Sequence, residues 1–282
     1  MRRNTLSQVV RCAIAVAVGI GAGARADAQQ RPLVTQDPEV IGGGRLLVES
    51  GVETGVNVGY PVSGLTGDRV ALPIGVSLGL GTVTELQIDS GYQWLAIDRR
   101  DFAPLDFRVG PGARTSDVID VTLGMKVRVL GEGTRRPAVG VRFATELPNA
   151  SNESGLGLDT LNFVGAILVG KTVGAVRVVG NAGVALLSDV LQGSLQHDAF
   201  VGGVSVAYAL RPSLDLVGEL AGRQVLFADR PPIGAEPRGQ VRAAVRYLRG
   251  AWRGDAGLIL GTTRQDPDVG LTVGLTWVGQ VR

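Results

Sequence analysis

Aliphatic and polar residues alternate along most of this 282-residue chain, in runs of about ten residues separated by clusters of Gly, Pro, Asp, Asn and Ser. The run over 117–130 shows the pattern best, because it places on one face Ile119, Val121, Leu123, Met125, Val127 and Val129. A period of two residues is that of a β-strand with one apolar and one polar face. The chain is therefore predicted to be all-β.

The number and spacing of these runs predict how the strands are connected. Twelve runs are found, at 44–53, 69–80, 83–96, 117–130, 136–147, 158–171, 174–187, 197–210, 213–226, 237–249, 252–263 and 267–279. An even number of strands suits an antiparallel barrel with both termini on the periplasmic side. Short turns such as 170–174 alternate with longer links, which we predict to be extracellular loops, at 97–116, 148–157, 188–196 and 227–236.

The hydrophobic content favours a barrel in a membrane. Hydrophobic residues make up 45% of the chain and the mean hydropathy is +0.21, yet beyond residue 28 no window holds 18 consecutive apolar residues, which excludes helical membrane spans. A soluble β-sandwich or closed barrel also alternates, but its polar face would be rich in Lys, Glu and Thr, whereas here Gly and Ala dilute it. We predict a transmembrane antiparallel up-and-down β-barrel of about 12 strands.

The first residues indicate secretion. Arg2, Arg3 and Arg11 precede a 13-residue apolar run at 12–24, and Ala26-Asp27-Ala28 supplies small residues for cleavage. Such a run spans about 20 Å as a helix, too short for a bilayer core of about 30 Å. We predict a signal peptide at 1–28, an N-terminal extension at 29–43 and an outer-membrane barrel at 44–282. The predicted location is the bacterial outer membrane, and the predicted partners are its lipid, the barrel-assembly and periplasmic chaperone machinery, and small solutes.

Charge and cysteine content change once the signal is removed. Without Arg2, Arg3, Arg11, Arg25 and Asp27 the chain keeps 24 Lys and Arg against 25 Asp and Glu, so the basic pI of the full chain belongs to the discarded segment. A nucleic-acid partner then has no electrostatic support. The single cysteine, Cys12, is also lost, and a cysteine-free chain suits passage through an oxidising periplasm.

Catalysis, metal binding and phosphate binding have little support in the sequence. His197 is the only histidine, and Ser194 and Asp198 lie near it without a nucleophile motif, which favours a polar loop residue over a lipid-modifying site. One His and no mature Cys exclude the common zinc sites, and Asp266-Pro267-Asp268 is typical of a turn. The glycines at 42–44 and 79–81 are not followed by Lys and Ser or Thr, so no phosphate loop is predicted. We predict no catalytic residue, no metal and no cofactor.

The candidate site is the polar face of the strands, which we predict to line the lumen. Its ionisable members carry both signs: Glu85, Asp89, Asp120, Lys126, Arg128, Arg142, Glu146, Arg177, Asp215, Glu219, Arg223, Arg242, Arg246, Arg253 and Asp255. Such residues either pair across strands and fill a narrow lumen or line a water-filled path. A basic group late in the sequence, Arg223, Arg242, Arg246 and Arg253, would favour anions, or else serve in structural ion pairs.

The middle of the chain resembles an outer-membrane family named for the phenol meta-degradation pathway. FATELPNAS at 143–151 and GLGLDTLNF at 155–163 are similar to a strand end, loop and next strand of that family, and the similarity extends over roughly 69–225. The resemblance implies a barrel proposed to pass hydrophobic or aromatic compounds. The leading hypothesis is therefore a passive channel for small solutes. The alternatives are a non-conducting structural or adhesion barrel and, less favoured, a barrel lipid-modifying enzyme.

Overall fold

Twelve antiparallel strands close into one barrel in the computed structural model, which describes residues 31–103, 111–226 and 231–281. Each strand pairs with its neighbours in sequence, and β12 closes the barrel on β1 with Gln280 opposite Arg45. The predicted fold class is thus confirmed, while the predicted signal peptide at 1–28 lies outside the described residues. The strands are β1 Arg45–Tyr60, β2 Leu65–Gly79, β3 Thr84–Arg100, β4 Arg114–Leu130, β5 Ala138–Leu147, β6 Asn162–Val173, β7 Val176–Ser188, β8 Gln196–Arg211, β9 Leu214–Val225, β10 Arg238–Arg249, β11 Trp252–Gly261 and β12 Gly270–Gln280.

Two β-bulges separate the observed strands from the predicted pattern. The first strand was predicted to end at 53 but reaches Tyr60, because a register shift between Gly55 and Val58 interrupts the alternation, with Asn57 at a φ of 57°. The second bulge lies in β4 opposite Ser90. It places Val118 opposite Tyr92 on the exposed face, so the prediction that Ile119 lies on that face is wrong.

The outer surface of the barrel is an apolar belt with aromatic side chains towards both ends. Exposed aliphatic residues such as Ile167, Val204 and Leu220 cover the middle. Towards the short turns lie Tyr208, Tyr247, Trp252 and Trp277, with the two Trp rings 6.5 Å apart. Towards the long loops lie Tyr92, Trp94, Phe163 and Phe200. An apolar band flanked by two aromatic girdles is the surface of a barrel that spans a membrane.

The long loops fold over one mouth of the barrel. Leu156, from the β5–β6 loop, packs on Leu65, Leu95 and Ile97, whose side chains lie inside the end of the barrel. A second apolar cluster closes the other side of the mouth and contains Ala185, Leu187, Ala199, Val225 and Ala235. In the described part of the chain the only helix is the 3-10 turn Asn152–Ser154, and no helix there has the length and hydropathy to cross a membrane.

Candidate functional site

Residues 31–43, here called the collar, lie inside the barrel and run around its inner wall. The collar starts beside β11 and β12, passes β10, β9, β8 and β7, and ends against β3 and β2 before the chain enters β1. Eight of its eleven residues from Arg31 to Ile41 are buried. The lumen is therefore occupied by the protein's own N-terminal segment over almost a full turn.

Arg31 begins the collar in a slot between two strands. Its Nη2 donates to Thr272 Oγ1 at 2.9 Å and lies 3.6 Å from Asp255 Oδ1. The slot exists because Gly51 and Gly274 face each other across β1 and β12. A Cβ at Gly274 would lie 2.2 Å from Arg31 Nε, and one at Gly51 would lie 2.4 Å from Nη2. Both positions therefore require glycine for the guanidinium to fit.

Two inner-wall side chains bind the backbone of the collar. The carboxylate of Glu219 accepts hydrogen bonds from Val34 N at 2.9 Å and from Thr35 N at 2.6 Å. Asn181 makes a paired contact with Gln36, since its Oδ1 accepts from Gln36 N at 2.6 Å and its Nδ2 donates to Gln36 O at 2.8 Å. These bonds satisfy backbone groups that would otherwise be buried without a partner. They therefore hold in place an extended segment that is not paired with any strand through a β-ladder.

The second half of the collar is held by ion pairs near the short turns. Asp37 forms a bidentate pair with Arg177, whose Nη1 also donates to Glu132 Oε2 at 2.9 Å. Glu39 pairs with Arg128. Charge-assisted, bidentate contacts of this kind are the stronger hydrogen bonds in proteins and fix geometry as well as contributing energy.

The collar ends on a fully buried ion pair. Glu85 Oε2 accepts from Ile41 N at 2.9 Å, and Glu85 Oε1 lies 3.3 Å from Lys126 Nζ. Both side chains are 0% exposed. Since a lone buried charge is strongly unfavourable, each of these residues depends on the other.

All fifteen residues predicted to line the lumen are buried or half-buried, and they fall into three groups. Six contact the collar: Glu85, Arg128, Arg177, Glu219, Arg242 and Asp255. Six contact loop residues or other residues of the wall: Asp120 with Asn149 and Ala150, Glu146 with Asn162, Arg223 with Gly234, Arg142 with Gln87, Asp89 with Arg142, and Lys126 with Glu85. The remaining members are Asp215, Arg246 and Arg253. Whether any of them contacts a solute stays a prediction.

Sequence reasoning missed several residues that position the collar. Glu53 accepts from Arg242 Nη1 at 3.0 Å, and that same Nη1 donates to Pro32 O at 2.7 Å. Glu49 and Glu53 stand four residues apart in a strand, so the period of two places both on one face, and that spacing could have identified them. Asn181 and Gln87 carry no charge, and nothing in the sequence distinguishes them from other polar residues of the inner face.

A cavity of about 780 Å³ remains between the collar and the inner wall beside the short turns. Leu33, Asp37 and Glu39 of the collar form one side of it. Strands β7 to β11 form the other side, through residues that include Val179, Asp215, Arg246, Leu248 and Arg253. The cavity is large enough to hold a small molecule.

Glu132 lies in the turn after β4. Its carboxylate binds Lys171 and Thr172 near the end of β6 and also Arg177, the residue that pairs with Asp37 of the collar. Burial acts to raise its pKa, but hydrogen bonds from Thr172 N, Lys171 and Arg177 outweigh this and lower the pKa to about 2. Because the folded pKa lies below the ordinary value of 4.5, this contact stabilises the fold fully above that value and is lost as pH falls towards 2.

We expect the tie at Glu132 to survive mild acid and to fail only in strong acid. With Glu132 unchanged, we label Thr35→Cys with a dipyridyl disulfide, which reacts with thiols in acid, and divide the rate by that of free cysteine at the same pH. This normalised accessibility should stay constant from pH 7 to about pH 4 and rise as pH approaches 2. Glu132→Gln should show the raised accessibility at every pH. A variant whose accessibility follows the wild-type curve would contradict the role given to this carboxylate.

A larger side chain at Gly170 should displace the collar. A Cβ there would lie 3.0 Å from Pro38 Cγ and 2.9 Å from Arg177 Nη2, so Gly170→Val pushes on both the collar and its anchor. We expect Thr35→Cys to react with a bulky maleimide several-fold faster in this variant, because a few tenths of an ångström cannot absorb the overlap. Gly180→Val is the matched control, since a Cβ at Gly180 meets nothing within 4 Å. Equal rates in the two variants would exclude the displacement.

The residues weighed for catalysis do not form a nucleophile and base pair. His197 Nε2 lies 2.8 Å from Asp189 Oδ2, in the β7–β8 loop, while Ser194 is exposed and has no hydrogen bond to the imidazole in the described structure. The hydrogen bond from His197 lowers the pKa of Asp189. Within the described ranges no group of three or more His, Cys, Asp or Glu residues could hold a metal ion.

Solved structures with this fold are outer-membrane barrels. An outer membrane channel from Pseudomonas putida F1 matches with a TM-score of 0.58 at 15% identity, over 86% of this chain and 98% of that chain. The NanC porin matches with a TM-score of 0.51 at 9% identity, over 83% of this chain and 98% of that chain. At these identities the likeness shows the fold. No family model matches the sequence and no curated protein was found to match it, so the resemblance to the phenol meta-pathway family stays a prediction.

Proposed function

We propose that this chain is a passive channel of the bacterial outer membrane whose lumen is narrowed by its own N-terminal collar. The observation that carries the proposal is the cavity of about 780 Å³ between the collar and an ionisable inner wall, inside a barrel with an apolar, aromatic-flanked exterior. The likeness in fold to a P. putida outer membrane channel and to a porin supports the same function. Insertion would then require the periplasmic chaperone and barrel-assembly machinery, as well as lipid.

The inner wall favours small polar or charged solutes that carry an apolar part. The cavity is lined both by charged groups such as Asp215 and Arg253 and by aliphatic side chains such as Leu33, Val179 and Leu248. Aromatic or hydrophobic compounds, implied by the family resemblance, would contact the aliphatic part of the lining. The collar limits the size of what can pass, because it occupies the lumen between β7 and β3.

Conductance in planar bilayers tests the channel function. We expect the chain from residue 29 onwards, refolded and shown to be heat-modifiable on gels, to give discrete conductance steps in potassium chloride. Heat-modifiable protein that gives no steps with its collar in place would overturn the proposal.

A non-conducting structural barrel is the second candidate. It is favoured by the loop clusters that cover the mouth, built around Leu156 and around Ala235, together with the filled lumen. The same bilayer experiment separates the two functions, since a structural barrel with its collar in place gives no conductance steps, whereas a channel with its collar in place does.

A further inference from the structure

Arg246 is a buried guanidinium that faces the cavity without a protein partner. Its side chain comes from β10, lines the cavity and is 8% exposed. Among the described residues it makes no hydrogen bond or ion pair, and its Nε is fully enclosed without an acceptor. A buried guanidinium without acceptors is rare, because burial removes the water that would otherwise bind its N–H groups.

The neighbouring carboxylates do not neutralise Arg246 directly. Asp215 on β9 and Asp255 on β11 are its cross-strand neighbours, yet neither lies within ion-pair distance of it. Asp255 lies 3.6 Å from Arg31 of the collar instead. Asp255 is therefore paired with Arg31 of the collar and not with Arg246.

The other acidic groups of the cavity are also engaged. Asp37 and Glu132 pair with Arg177, and Glu39 pairs with Arg128. A second guanidinium, Arg253, lines the cavity on the next strand. Asp215, the neighbour of Arg246 on β9, is the remaining acidic residue of the lining, and it forms no ion pair with Arg246 in the described structure, so this guanidinium keeps its capacity to bind an anion.

The cavity also has aliphatic lining residues on both of its sides. Leu33 lies on the collar side, and Val179, Ala207, Ala209 and Leu248 lie on the strand side with Arg246. A ligand that fits such a site has an anionic head to accept hydrogen bonds from Arg246 and an apolar body to contact these side chains. A carboxylate matches the planar donor pair of a guanidinium in a bidentate manner.

We propose that Arg246 is the anion-recognition residue of a subsite for small carboxylates with an apolar body, the class to which aromatic acids belong. As a selectivity site for transport this proposal rests on the channel function, whereas the binding itself does not. The collar is part of the subsite, since Leu33 contributes to its wall and Arg31 holds Asp255 away from the guanidinium.

Calorimetric titration of the folded full-length barrel with sodium benzoate tests the subsite. We expect saturable binding of one benzoate, at least about tenfold weaker in Arg246→Gln and unchanged in Arg211→Gln, which replaces an exposed arginine at the end of β8. Benzyl alcohol, which keeps the ring without the charge, should bind at least about tenfold more weakly than benzoate. Equal affinity of wild type and Arg246→Gln, or of benzoate and benzyl alcohol, would overturn the proposal.

A second variant keeps the test valid if Arg246→Gln does not fold. Ala209→Asp leaves Arg246 in place and adds a carboxylate to the lining, so it should weaken benzoate binding without touching the guanidinium. Undiminished binding in this variant would place benzoate outside the cavity and overturn the subsite. Bilayer conductance without benzoate binding would contradict only the proposed subsite. Benzoate binding without conductance would contradict only the proposed channel function.

Discussion

Removal of residues 29–41 should raise the single-channel conductance of the barrel by at least about threefold, because the lumen of a 12-stranded barrel is wide enough to conduct when nothing fills it. In the intact chain the collar follows the inner wall from β12 to β2 and leaves only part of the cross-section free. The measurement compares conductance steps of the two proteins in the same bilayer and salt.

The control for the deletion keeps the length of the segment and removes its contacts. A chain in which 31–41 is replaced by Gly and Ser loses the ion pairs of Arg31, Asp37 and Glu39 and the packing of Leu33 and Ile41. We expect it to conduct nearly as well as the deletion, with noisier steps, because an undocked segment moves in the lumen. A replacement that conducts like wild type would show that chain volume, and not docking, restricts the pore.

The conductance result has meaning only if the deleted barrel folds. Deletion leaves Glu219 without the backbone N–H groups of Val34 and Thr35 and leaves Asp255 without Arg31. Water entering the widened lumen can hydrate these carboxylates, which is why we expect folding to persist. A deletion that folds, shifts on heating and conducts no better than wild type would contradict the role of the collar.

The fold was predictable because its signal is local. Alternation is read within each run, so residues such as Leu258 and Leu260 of β11 could be placed on the outer face from the sequence alone. The bulges at Asn57 and beside Ile119 were not predictable, since the register of a strand at a bulge depends on its partner strand.

The collar was not predictable for a different reason. Backbone N–H groups of Val34, Thr35 and Ile41 donate hydrogen bonds to wall carboxylates. Every residue other than proline has such a group, so a sequence does not show which of them a carboxylate binds. The charged inner face was visible, but both a water-filled path and cross-strand pairing explain mixed charges. The structure adds a third use, because Glu219 and Glu85 bind a segment of the same chain that has no alternation of its own.

Loss of Lys126 should destabilise the barrel by about 3–5 kcal/mol, the cost of leaving a buried carboxylate without its counter-ion. Glu85 and Lys126 face each other across β3 and β4, both are 0% exposed, and Lys126 is the only ion-pair partner of Glu85 in the described ranges. Lys126→Met keeps the length of the side chain and removes the charge. The free energy of unfolding in urea, followed by the fluorescence of Trp94, Trp252 and Trp277, measures the loss.

The double variant Glu85→Gln with Lys126→Met should recover most of that stability, because the amide oxygen can still accept from Ile41 N while no charge is left buried. Lys171→Met is the surface control, since Lys171 pairs with Glu132 in a partly exposed turn and should cost at most about 1 kcal/mol. A single Lys126→Met variant as stable as the double variant would mean that Glu85 takes up a proton at little cost. In that case the pair would not fix the end of the collar, and Ile41 would be held by its apolar contacts with Leu47 and Val278 instead.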